Sequence, residues 1–143
     1  MEKFEVREIS SLEDKKTALE IRRIVFCHEQ GVNPDIEFDG LDEHCRHYLA
    51  KRNGRAIGTA RIRQETPTTL KIERVAVLAE KRRQGVGKAL MKKTVSDARD
   101  TPSQIVKIHA QCHAEKFYTS LGFRRINGDF EEAGIPHVLM VLD

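Results

Sequence analysis

Residues 70–89 constrain this chain more than any other stretch. Leu70 to Val77 is rich in β-formers and reads as a strand. The run Arg82-Arg83-Gln84-Gly85-Val86-Gly87-Lys88-Ala89 follows. Beyond it Gly87, Leu90, Met91, Thr94 and Ala98 fall on one face at helical spacing, with Lys88, Lys92, Lys93 and Arg99 mostly opposite. The glycines therefore open an amphipathic helix that is predicted to run to about Arg99. Gln104 to Ala110, apolar at Ile105, Val106 and Ile108, supplies the next strand, and the crossover between the two strands is right-handed by rule. A helix N-terminus offers unpaired N–H groups and the positive end of the dipole, and residues without a Cβ let oxygens approach them closely. With Arg82, Arg83 and Lys88 beside it, this turn suits a phosphate. The competing reading is a solvated basic turn whose glycines serve only the backbone.

Two common phosphate motifs do not fit. A G-x-G-x-x-G fingerprint needs glycine where Leu90 stands, and no G-x-x-x-x-G-K-[ST] can be read. Arg82, Gly85 and Gly87 instead match the [RQ]-x-x-G-x-[GA] pyrophosphate loop, and in this the chain resembles the GNAT acetyltransferases. Ile72-Glu73-Arg74-Val75-Ala76-Val77 is similar to that superfamily's fourth strand. Ala114-Glu115-Lys116-Phe117-Tyr118-Thr119-Ser120-Leu121-Gly122-Phe123 is similar to its A-x-x-F-Y-x-x-x-G-F helix. The three elements lie in the right order and, from Ile72 to Phe123, span about a third of the chain. The resemblance implies an α/β fold: a central mixed, mostly antiparallel sheet with a parallel pair at the cofactor cleft.

Length and composition agree with one compact unit. At 143 residues and 39% hydrophobic the chain can bury one core, so a single N-acetyltransferase domain over 1–143 is expected. Its 25 basic and 22 acidic residues, net +3, make a nearly balanced surface, and aromatics are few, which argues against nucleic acid as a partner. The basic excess is local, at Lys81 to Lys88 and Lys92-Lys93. Cys27, Cys45 and Cys112 include no C-x-x-C pair and support neither a disulfide framework nor a zinc site. No apolar leader follows Met1-Glu2-Lys3-Phe4-Glu5 and no run is long enough for a membrane span, so a cytoplasmic protein without membrane partners is expected.

The remaining elements follow from local signals. Phe4 to Ile9 reads as a first strand. Ser11-Leu12-Glu13-Asp14 starts a helix to about Phe26, with Ala18, Ile21, Ile24 and Val25 in one stripe. Arg46 to Lys51 and Ala56 to Arg63 pair through a tight Asn53-Gly54 turn. A short helix from about Cys112 stops at Gly122, and Phe123 to Asn127 and His137 to Leu142 read as two final strands.

Acetyl transfer to an amine asks for loss of a proton from the amine, stabilisation of the carbonyl oxygen and protonation of the leaving thiolate. The resemblance assigns Tyr118 as general acid; taken alone, a tyrosine on an amphipathic helix is a core residue with a satisfied hydroxyl. Glu73 alternates with Val75 and Val77 on an apolar strand, where burial would raise its pKa and suit it to act as base; a structural ion pair with Arg61 is an equal alternative. The resemblance further implies that backbone groups of Val75 and Val77 pair with the pantetheine arm, and that Arg82, Arg83, Gln84, Gly85, Val86, Gly87 and Lys88 hold the pyrophosphate. Gln111 stands where many members carry asparagine and is kept as a cofactor-binding residue.

The resemblance makes Glu29, Asp39 and Asp42, in an acidic stretch after the first helix, candidate acceptor-binding residues, and in that fold the Glu132-Ala133-Gly134-Ile135-Pro136-His137 segment faces the same region; a solvated acidic loop is the competing reading. Opposite charges at the two ends of one cleft would then favour a cationic acceptor. His44/His47 and His109/His113 have spacings that could share a helical face, but the first pair precedes a strand and the second straddles a strand end, so no metal is expected and single histidines read as polar core or acceptor-site groups. The resulting expectation is an acetyl-CoA-dependent N-acetyltransferase, releasing coenzyme A, that acts by direct transfer to a small-molecule or peptide amine and admits a homodimer. A non-catalytic acyl-CoA-binding module is the alternative.

Overall fold

The computed structural model describes residues 4–142; the N-terminal reading at Met1 to Lys3 and the last residue of the expected domain lie outside them. In chain order the elements are β1 (Glu5–Glu8), α1 (Leu12–Arg22), α2 (Pro34–Glu37), β2 (Arg46–Arg52), β3 (Arg55–Thr66), β4 (Thr69–Val77), α3 (Val86–Arg99), β5 (Ile105–Gln111), α4 (Glu115–Ser120), β6 (Phe123–Arg125), β7 (Phe130–Glu132) and β8 (Ile135–Leu142). The strands form one sheet in the order β1-β2-β3-β4-β5-β8-β6, with β7 also on β8. β4 and β5 pair in parallel and every other pairing is antiparallel. The expected mixed α/β sheet with one parallel pair is therefore present.

Each face of the sheet is covered by the apolar stripe of a helix. Leu90, Met91 and Ala98 of α3 are buried against Ile57, Ile62, Ile72 and Ile108. On the other face Ala18 and Ile21 of α1 meet Leu49, Ala76 and Leu78. α3 lies close because β3 carries glycine under it: a Cβ on Gly58 would stand 3.0 Å from Leu90 Cδ1 and 3.1 Å from Val86 Cγ1.

Local chemistry explains the turns. Ser11 Oγ accepts from Asp14 N–H at 3.1 Å and starts α1. Asn53 (φ 52°) and Gly54 (φ 76°) take the left-handed pair of conformations that a two-residue hairpin demands. Ala133 (φ 53°) and Gly134 (φ 76°) repeat this and join β7 to β8, a hairpin arm the two-strand reading of the C-terminus lacks. α1 also does not stop at Phe26. It continues as a π-helical segment, Arg23–Glu29, in which bonds such as Gln30 N–H to Val25 O skip five residues. That widening turns Ile24 out of the expected stripe, leaving it 39% exposed while Val25 stays buried.

Candidate active site

The parallel strands part almost as soon as they meet. β4 and β5 pair only over Thr69–Lys71 and Ile105–Lys107. Beyond that β4 stays with β3 and β5 with β8. The cause is a bulge: Arg74 and Val75 together oppose the single β3 residue between Thr59 and Arg61, and Arg74 adopts φ 56°. The extra residue exchanges the faces. Past it Val75 and Val77 pack towards α3, while Ala76 joins the α1 core. The expectation that Glu73 shares a face with Val75 and Val77 is thereby corrected. The parting strands open a cavity of about 960 Å³, at the large end of what small-ligand sites use.

The basic turn borders this cavity. Gly85 (φ 86°) precedes α3 and no side chain caps the helix, so the first-turn N–H groups carry no side-chain acceptor. A Cβ on Gly87 would stand at ordinary contact distance from Phe117 Cζ (3.5 Å) and Val77 Cγ2 (3.8 Å), so the bare glycine lies at the wall between these two side chains. Arg82, Arg83, Gly85, Val86, Gly87 and Lys88 line the cavity, as do Val75, Val77, Gln111 and Tyr118. Gln84 does not. Its Oε1 accepts from Arg52 Nη1 at 2.6 Å, which turns the side chain away from the expected binding position. Tyr118 stacks edge-on with Phe117 and Phe123, centroids 5.0 and 6.0 Å apart. Burial pushes its hydroxyl up to about 12, so it keeps its proton at neutral pH.

The end of the π-helical segment clasps both walls. Glu29 takes two bonds from the Arg82 guanidinium, at 2.5 and 2.7 Å, while Arg82 Nε donates to Val77 O at 3.0 Å. Glu29 thus sits on the basic turn before α3 and not at a separate end of the cavity. Gln30 and Gln111 exchange side-chain amide bonds of 3.3 and 2.9 Å, and His113 Nε2 lies 2.7 Å from Gln111 Oε1.

The other acidic residues are neutralised by arginines. Asp42 accepts from Arg22 and Arg61 at 2.6 and 2.8 Å and is not among the cavity-lining residues. Asp39 lines the cavity, yet its carboxylate is bonded to Arg61 and Arg74, which hold its pKa well below the usual range against the opposing effect of burial. Charges already paired in this way are poor attractors for an ammonium, and the electrostatic basis for a cationic acceptor falls away.

Glu73 is corrected as well. Burial alone would raise its pKa, but Arg61 and Lys71, with a bond from Arg63 Nε at 3.0 Å, lower it to about 2. Arg61 Nη2 and Lys71 Nζ contact the same carboxylate, the latter at 3.1 Å. Of the two readings of Glu73, the geometry is that of the ion pair with Arg61.

Sequence reasoning passed over Arg63 and Lys71 and did not single out His109. The signal was present in the strands' alternation. Val106, Ile108 and Ala110 are buried under α3, whereas Lys107, His109 and Gln111 fall on the opposite face, as do Lys71 and Glu73. This half of the sheet has a polar face that α1 leaves open to the cavity.

The profile of the acetyltransferase (GNAT) domain family matches residues 20–143. Protein ElaA of Escherichia coli is 36% identical over 126 residues, covering 85% of this chain and 82% of ElaA. Its crystal structure superposes with a TM-score of 0.84 at 30% identity over 100% of both chains. An acyl-CoA N-acyltransferase from Pseudomonas aeruginosa gives 0.85 at 27% identity over 99% of both. A GNAT family acetyltransferase from Elizabethkingia anophelis, solved with acetyl-CoA bound, has the same fold, with a TM-score of 0.75 at 17% identity over 98% of this chain and 97% of that one. On this sequence and fold agreement, the chain belongs to the GNAT acetyltransferase family.

Proposed function

We propose that this chain transfers an acetyl group from acetyl-CoA to a primary amine by direct attack. The observation that carries the reading is the parting of β4 and β5 beside the uncapped N-terminus of α3, with Arg82, Arg83 and Lys88 around it. The fit to a pyrophosphate is physical. Gly85, Val86 and Gly87 present backbone N–H groups at the positive end of a 14-residue helix, and the missing Cβ of Gly87 leaves that approach clear. Gln84 contributes through its backbone alone. Below the loop, β4 past Lys71 has no β5 partner, so its edge at Val75 and Val77 is open to an extended amide-bearing arm, with Arg82 Nε already on the Val77 carbonyl oxygen. Gln111 is placed to donate to the same arm once Gln30 releases it.

Bound acetyl-CoA supplies the acetyl group as a thioester. The amine, deprotonated, forms its bond to the carbonyl carbon as the carbon–sulfur bond breaks. Tyr118, kept protonated by burial, gives its hydroxyl proton to the departing sulfur, and the proton shed by the new amide nitrogen restores the tyrosine. Glu73 holds Arg61, Arg63 and Lys71 in place. The test is coenzyme A release from acetyl-CoA with a panel of primary amines. Turnover with at least one amine, above the amine-free rate, is expected; binding of acetyl-CoA without turnover on any of them would instead match a non-catalytic binding module.

A further inference from the structure

With Glu73 held to about 2 and its oxygens occupied by three cations, the amine must lose its proton to another group. The polar face of the split carries His109. His109 lies two residues past Lys107, where β4–β5 pairing ends, as Glu73 lies two past Lys71 on the opposite wall. Its ring lines the cavity and is 21% exposed. Nδ1 stands 2.9 Å from Glu132 Oε1. Glu132 is kept ionised first by that hydrogen bond, and an ionised carboxylate only accepts, so Nδ1 carries the proton. No described residue bonds Nε2.

The ring is fixed from the other sides as well. Phe130 meets it edge-on, centroids 5.1 Å apart, and stacks on His137 at 6.0 Å. His137 Nδ1 is taken by Ile135 O at 2.7 Å, and its Nε2 lies 3.7 Å from Glu132, beyond a hydrogen bond. At 8% exposure His137 is the more enclosed of the two. The charged or titratable groups facing His109 are thus Glu132 from β7, His137 from β8 and, acting on Glu132, Lys71 from β4.

We infer that His109, oriented by Glu132, is the general base that takes the proton of the incoming ammonium. The inference rests on the acyl-transfer reading above. The ammonium N–H bond breaks, its proton passes to Nε2 of the neutral imidazole and then to solvent, and the freed lone pair attacks the thioester carbon. A carboxylate on Nδ1–H fixes the tautomer with Nε2 bare and stabilises the imidazolium that forms. Glu132 is a positioning residue.

Two readouts test this on the full chain with coenzyme A present. The ¹⁵N spectrum of the imidazoles should show neutral His109 as the Nδ1–H tautomer, mixed in Glu132→Gln; an Nε2–H tautomer in the wild type overturns the inference. Initial rates with spermidine, an N-capped lysine peptide and tyramine should fall roughly 10²- to 10⁴-fold in kcat for His109→Gln, with KM for acetyl-CoA little changed and one inflection lost from the pH profile. Glu132→Gln should cost about tenfold and move that inflection. An unchanged profile in His109→Gln overturns the assignment, whereas a wild type that binds acetyl-CoA and acetylates none of the three amines refutes the acyl-transfer reading and leaves the tautomer to decide the dyad.

Discussion

Replacing Glu73 by glutamine keeps the side chain's shape and removes the one negative charge that Arg61, Arg63 and Lys71 share. Arg61 is fully buried and also bonds Asp39 and Asp42, so its charge cannot move to water when the partner is lost. The native carboxylate titrates at about 2 against an ordinary 4.5. At roughly 1.4 kcal/mol per pH unit, that difference is about 3 kcal/mol of stability. Removal of one partner from a buried ion pair, which costs roughly 3–5 kcal/mol elsewhere, gives the same scale. The folded pKa is depressed, so the contribution is complete above pH 4.5 and disappears as pH falls through about 2. Urea denaturation at pH 7 should therefore show Glu73→Gln less stable than the wild type by roughly 3 kcal/mol, a gap that narrows towards pH 3. Equal stability at pH 7, or a gap of constant size with pH, would refute the ion-pair account and return Glu73 to candidacy as a base.

Other perturbations read the cavity walls. Tyr118→Phe keeps the ring contacts with Phe117 and Phe123 and removes the proton donor, so kcat should fall roughly 10²- to 10⁴-fold with acetyl-CoA binding nearly intact; steady-state rates against calorimetric affinity check it, and equal turnover would make Tyr118 a packing residue. Glu29→Gln frees Arg82 from a carboxylate that competes with phosphate, and calorimetry should show acetyl-CoA bound a few-fold tighter at low salt, an effect lost at high salt. Gly58→Ala places a methyl 3.0 Å from Leu90 and should cost about 1–3 kcal/mol in denaturant unfolding, because α3 must lift from β3.

What could be read from the residues divides along a physical line. α3 announced itself because its stripe, its glycine start and its basic outer face are all local, and the Asn53-Gly54 turn did so because its backbone demand selects those residues. The bulge at Arg74 carries no such mark. An arginine at positive φ is held there by its strands and by bonds to Glu37 O and Asp39, all distant in sequence. Missing the bulge put Glu73 on the wrong face. Its pKa was misjudged for a related reason: apolar neighbours along β4 suggest desolvation, whereas the deciding charges stand on β3 and at Lys71. The acidic stretch from Glu29 to Glu43 reads as free charge in one dimension, whereas in three Glu29, Glu37, Asp39 and Asp42 are arginine partners. The polar alternation Lys107, His109, Gln111 was legible throughout, and it marks the face that carries the proposed base.

The most direct test of the central claim is a calorimetric titration of the chain with acetyl-CoA, alongside Gly87→Val, whose Cβ would sit at ordinary contact distance from Phe117 and Val77 and whose further methyls reach into the phosphate approach. The account predicts one molecule bound per chain, weaker as salt rises, and strongly reduced binding to a variant that still unfolds cooperatively. No binding to the wild type at millimolar acetyl-CoA, or undiminished binding to a folded Gly87→Val, would contradict it.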